Sequence, residues 1–126
     1  MIEFWLLLAF VVKHFVCDYI LQRNPYQYLN KGTYGHPGGL LHAWIHGVGT
    51  WFVLALLLPP GPFAFFVCVA LALADSVVHY HIDWAKVNVC RRYNWKPDNS
   101  DNYWCVLGLD QLLHYLTYFT IVAVIV

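Results

Sequence analysis

A chain of 126 residues that is 60% hydrophobic and 18% aromatic, with 11% of its residues charged and a formal net charge of zero, lies far from the roughly one quarter of charged residues usual in soluble domains. A soluble domain of this size could not bury so much apolar surface, so lipid is the expected solvent and one integral membrane domain over residues 1–126 the expected organisation. The few basic residues fall in two segments instead of one stripe, which argues against a nucleic-acid partner.

The first predicted span covers about residues 2–22, enough to cross roughly 30 Å of hydrocarbon. Its opening, Phe4 to Val12, is apolar, while Lys13, His14, Asp18 and Gln22 crowd its second half. Glu3 stands where a signal peptide would be basic, and no small-residue cleavage motif follows, so a retained span is predicted. Residues 23–39 are dense in turn formers and read as a loop with one helical turn at Tyr26 to Leu29. The second span, about 40–58, places His42 and His46 at its start, and Pro59-Pro60-Gly61-Pro62 then turns the chain.

The third span, about 63–84, carries Asp75, His79 and Asp83, which share with Lys86 a stripe about 80° wide on a helix. Residues 86–103 read as a second hydrophilic loop. The fourth span, about 104–126, has Asp110 and His114 near its entrance. The expected fold is therefore all-α, a four-helix transmembrane bundle with antiparallel up-down order. In that order every polar pair lies toward one membrane face.

Arg23, Lys31, Lys86, Arg91, Arg92 and Lys96 lie in the two loops on that same face. The positive-inside rule then turns this face to the cytoplasm and both termini outward. Trp44, Trp84 and Trp104 suit an interfacial belt at the polar face, and Trp5 suits the opposite one. Ala43 with Gly47 and Ala70 with Ala74 have the spacing of close helix contacts.

A charge inside a span costs about 2.5 to 3.5 kcal/mol on insertion scales, so these ionisable residues need mutual compensation. Repeated i,i+4 pairs can present two ligands per helix to one ion. His14, Asp18, His42, His46, His79, Asp83, Asp110 and His114 are accordingly the predicted ligands of one or two ions. The imidazole-rich set favours zinc, with manganese or iron as alternatives, over calcium or magnesium. The structural alternative is polar pairing between helices, at about 0.6 kcal/mol per pair.

His36 and His81 fall off the stripes and read as non-ligands. Asp75 reads as an acid orienting a histidine or as a buried protonated carboxyl, Cys17 as an extra ligand. The four cysteines lack C-x-x-C spacing, against a thiolate zinc site or disulfide framework. Lys86 and Gln111 read as contacts for an anionic substrate group.

The ordered set His14-x-x-x-Asp18-x-x-x-Gln22, His42-x-x-x-His46, His79-x-x-x-Asp83-x-x-Lys86 and Asp110-Gln111-x-x-His114 resembles a family of small uncharacterised integral membrane proteins of bacteria and their phages, classed as a domain of unknown function. The resemblance covers nearly the whole chain. It implies a multi-pass protein of the bacterial cytoplasmic membrane and no particular activity.

Three functions remain open. One is a metal-dependent hydrolase with Asp83 or Asp110 as catalytic base and a lipid-like substrate entering from the bilayer. Another is proton or metal-ion transport, which the apolar outer halves of the helices disfavour. The third is a non-catalytic membrane component that binds a membrane protein partner, or another copy of itself, through loops rich in aromatics (Tyr26, Tyr28, Tyr34, Tyr93, Trp95, Tyr103).

Overall fold

A computed structural model describes residues 1–126, and every regular element in it is helical. α1 covers Ile2–Phe15 and continues through one π-helical turn, Val16–Ile20, and a 3₁₀ turn, Leu21–Arg23. α2 is the short Pro25–Tyr28, α3 is Pro37–Leu57, α4 is Pro62–Tyr93 and α5 is Asp101–Ile125. Four helical stretches, Ile2–Arg23, α3, α4 and α5, are long and apolar enough to cross a membrane.

Local chemistry sets most of the boundaries. Proline occupies the first turn of α2, α3 and α4, where its missing N–H costs nothing. The side chains of Asn24, His36 and Ser100 accept hydrogen bonds from Tyr26, Gly38 and Asn102 N–H groups and so cap α2, α3 and α5.

The helices overrun the spans expected from hydropathy. α3 starts at Pro37 and α5 at Asp101, and α4 continues to Tyr93, through half of the segment read as the second loop. Between Lys86 and Tyr93 there is charge but no glycine or proline, and Arg91 and Arg92 sit in the last turn, where cations complement the helix dipole. Asn94, with φ of 54°, ends the helix in the left-handed conformation, and Trp95 N–H closes on the Cys90 carbonyl at 2.9 Å. At 32 residues α4 is about 48 Å long, well over the roughly 30 Å of a hydrocarbon core.

The distribution of residues is that of a protein solvated by lipid. Thirteen buried residues are hydrophobic and twelve are polar or charged, while Trp5, Phe52, Phe66, Leu116 and Phe119 are among many large apolar side chains on the outside. The interior has two tiers. Leu6, Phe10, Val53, Leu54, Cys68, Tyr118, Ile121 and Val122 form an apolar cluster, and the buried histidines and aspartates form the other tier.

α3 and α4 pack tightly at Gly47, where a Cβ would lie 1.9 Å from Ser76 Oγ and 2.8 Å from the Ala72 carbonyl oxygen. Ala43 is buried as expected, but Ala70 and Ala74 are exposed. Ala72 is the small residue that faces Gly47, because the contacting face of α4 is the one bearing Asp75 and His79.

The second half of α4 fastens the segment between α2 and α3. Asn88 Nδ2 donates to the Gly32 carbonyl (3.0 Å), Tyr80 OH accepts from Gly35 N–H (2.6 Å) and Tyr34 OH meets His81 Nε2 (3.1 Å). Lys31 is thereby held over the polar tier.

Candidate metal centre

Asp18 sits in the π turn that follows α1, and Gln22 Nε2 donates to its backbone carbonyl. Such turns widen a helix locally and recur at functional sites. Three imidazoles converge on the Asp18 carboxylate: Oδ1 lies 3.1 Å from His42 Nε2, 3.2 Å from His46 Nε2 and 3.8 Å from His79 Nε2. His42 and His79 approach each other at 3.1 Å between Nε2 atoms.

A second group adjoins the first. Asp83 Oδ2 lies 3.4 Å from His79 Nε2 and 3.2 Å from His42 Nε2, and Asp83 Oδ1 lies 3.5 Å from His114 Nε2. Two sets of potential ligand atoms result, Asp18 with His42, His46 and His79, and His79 with Asp83 and His114, each spanning no more than 4.8 Å. All six residues are buried.

Spacings of 3.1 to 3.5 Å match the edge of about 3.3 Å that bonds near 2.0–2.1 Å produce in a tetrahedron. His79 appears in both sets, but a neutral imidazole offers one lone pair. Two ions would therefore divide the ligands three and three, with His79 completing the Asp83 and His114 set. So divided, each set offers three ligands from the protein, one fewer than a closed tetrahedral site requires. The Nδ1 atoms of His42, His46 and His79 are buried without a hydrogen bond, which leaves each Nε2 as the atom engaged at the cluster.

Two of the eight expected ligands stand outside both sets. The His14 ring has both nitrogens committed: Nδ1 lies 2.9 Å from Tyr118 OH, and Nε2 lies 3.0 Å from Gln111 Oε1 and 3.1 Å from Asp18 Oδ2. Lys13 donates to Tyr118 OH at 3.3 Å, so the phenol directs its own proton to His14 Nδ1. His14 Nε2–H then points at Gln111 and Asp18, and the ring orients a carboxylate instead of offering a lone pair. Gln111 Nε2 donates onward to Asp110 Oδ2 at 3.0 Å. Asp110 Oδ1, 3.6 Å from His114 Nε2, is buried with no hydrogen bond.

The remaining sequence candidates are placed as follows. His36 caps α3 and His81 is exposed, bonded to the Val77 carbonyl. Cys17 reaches only the Ile45 carbonyl, at 4.0 Å. Lys86 makes no ion pair with the cluster and lies over the Tyr103 ring at 5.5 Å. Asp75 meets no histidine: it pairs with Lys13 at 2.8 Å and accepts from Thr50 Oγ1 at 2.5 Å, all three residues being buried.

The cation at the cluster is Lys31, whose Nζ lies 2.8 Å from Asp83 Oδ2 and 3.8 Å from Asp18 Oδ1. Sequence reasoning assigned it to orientation alone, because its position depends on contacts between the loop and α4. For Lys13 a signal existed in its i,i+1 adjacency to His14 within an apolar helix.

A family model described as "Protein of unknown function (DUF3307)" matches residues 6–126, a range that includes the entire cluster. The chain belongs to that family. No curated protein and no solved structure matches it. The family description assigns no chemistry, so whatever this member does has to be read from its buried histidines and aspartates.

Proposed function

We propose that this protein is a multi-pass membrane protein that binds one or two transition-metal ions, zinc first, and uses them to hydrolyse an ester or phosphoester bond in a lipid-like substrate. The observation that carries the reading is the meeting of His42, His46 and Asp18 at 3.1 and 3.2 Å on one oxygen, with Asp83, His79 and His114 beside them. A bound ion would lower the pKa of a water at its open position. Asp110 is the base best supported, since its Oδ1 is buried, unbonded and outside both ligand sets. Lys31 replaces Lys86 as the group for a substrate anion, and Gln111 orients His14 and Asp110.

The reading extends to topology. The contacts of α3 with α4 pair His42 with His79, Gly47 with Ser76 and Thr50 with Asp75, an order that supports up-down crossings. The basic loops support a cytoplasmic site in a bacterial membrane.

A non-catalytic metal-binding component is the second reading. It is favoured by two large clefts, about 650 Å³ between α3 and α4 and about 600 Å³ between α1 and α3, neither of which is lined by a cluster residue.

Elemental analysis of protein purified in detergent and loaded with zinc tests the centre. At least one equivalent is expected, reduced by His46→Ala and unchanged by His81→Ala; binding under a tenth of an equivalent overturns the reading. Release of product from labelled lipid esters or phosphoesters in nanodiscs, abolished by Asp110→Asn, separates the hydrolase from the non-catalytic component.

A further inference from the structure

The end of α4 and the turn leading into α5 form an open surface cavity of about 350 Å³, apart from the metal centre, lined by Lys86, Arg91 and Lys96 with Cys90, Trp95 and Tyr103. None of the three cations has a carboxylate partner. Lys86 lies over the Tyr103 ring, Arg91 reaches only the Leu29 carbonyl at 3.5 Å, and Asp98 and Asp101, close in sequence, pair with none of them. In a chain of zero net charge, three cations without carboxylate partners around one cavity form a local excess; the positive-inside rule accounts for their side of the membrane but not for their convergence.

The wall is held by its own bonds. Asn99 Oδ1 accepts from Lys96 N–H at 2.8 Å, Asn99 Nδ2 donates to the Asn94 carbonyl at 2.9 Å, and the Trp95 ring stacks on Tyr93 at 4.8 Å. A guanidinium fork and two ammonium groups suit the oxygens of a phosphate group. Trp95 and Tyr103 are the residue types that settle at the headgroup level of a bilayer.

We infer that this cavity binds a phosphate group, and that a phospholipid headgroup at the membrane surface is its occupant. The turns of α4 beyond the hydrocarbon bring Lys86 and Arg91 to that level, while Arg92, of equal charge and next in the chain, does not line the cavity. The site would seat the protein against anionic lipid whether or not the metal centre is filled.

The test is a native mass-spectrometric titration of the full chain in detergent with phosphatidylglycerol, phosphatidylcholine, glycerol 3-phosphate and inorganic phosphate. Phosphatidylglycerol should bind, and Lys86→Gln with Lys96→Gln should weaken it about 25-fold, at about fivefold per cation. Arg92→Gln should change it less than about twofold. All variants should keep the wild-type metal content, which makes the result independent of the hydrolase reading. Binding of the soluble phosphates with the same dependence on Lys86 and Lys96 identifies the phosphate alone as the recognised group and overturns the lipid assignment. Equal losses from Arg92→Gln and from the cavity lysines, or equal binding of phosphatidylcholine and phosphatidylglycerol, overturn the site.

Discussion

Replacing Lys13 by methionine removes one charge of a pair whose members are both inside the bundle, 4% and 2% exposed at the side chain and 2.8 Å apart. Asp75, itself buried, would keep only Thr50 as a donor. Breaking a buried pair from one side costs about 3 to 5 kcal/mol, a drop of roughly 10 to 20 °C in Tm at about 3 to 4 °C per kcal/mol. Asp75→Leu should do similar damage by stranding the ammonium, unless Lys13 can extend to the bilayer surface. The double variant Lys13→Met, Asp75→Leu should recover most or all of the loss, because an apolar pair of similar volume is often as stable as the ion pair or more so. Thr50 would then bond to the carbonyl one turn back, as hydroxyls in helices do. Thermal unfolding in one detergent, followed by circular dichroism, measures all four proteins. A single Lys13→Met variant as stable as the wild type, or a double variant no better than the worse single one, would refute the argument that the two charges depend on each other.

His14→Gln should retain the metal stoichiometry of the wild type while weakening affinity about 10- to 100-fold, measured by competition with a chromophoric chelator; loss of a full equivalent would make His14 a ligand. Gly47→Val should prevent α3 and α4 from closing, given the 1.9 Å approach to Ser76, and yield aggregated protein on size exclusion. Ala74→Val, on the exposed side of α4, should behave as wild type. Reporter fusions at Pro60 and at Asn99 should report opposite sides of the membrane, with Asn99 cytoplasmic, and a shared side would cancel the crossing order.

The histidines and aspartates of the cluster could be picked out in the sequence because i,i+4 spacing places both members of a pair on one helical face whatever the tertiary structure. That geometry says which residues share a face but not which atom of each ring is free. His14 has the same spacing to Asp18 as His42 has to His46, and only the position of Tyr118, contributed by a helix a hundred residues later, commits its second nitrogen. Lys31 was beyond reach for a related reason. Its place over Asp83 follows from Asn88 and Tyr80 holding the preceding helix's loop, contacts that leave no periodic trace. The charge density from Lys86 onward reads as loop in sequence, yet Lys86 to Tyr93 contains no residue that stops a helix, and α4 continues through it. The π turn at Asp18 has no composition of its own.

The pairing of Lys13 with Asp75 also constrains how the chain is made. The two residues are 62 positions apart, so at 5 to 20 residues per second Lys13 waits about 3 to 12 s after synthesis before its partner exists. Ile2–Arg23 is apolar enough to enter the membrane early, and Asp18 can meet His42 and His46 once α3 follows, yet Lys13 has no carboxylate partner until α4 has been translated. During that interval the Lys13 stem can reach toward the surface, and α1 can rest shallow or tilted. The Lys13 turn of α1 then locks only when α4 arrives, so a chain truncated before Asp75 keeps that cation unpaired and should be cleared by the cell's membrane proteases.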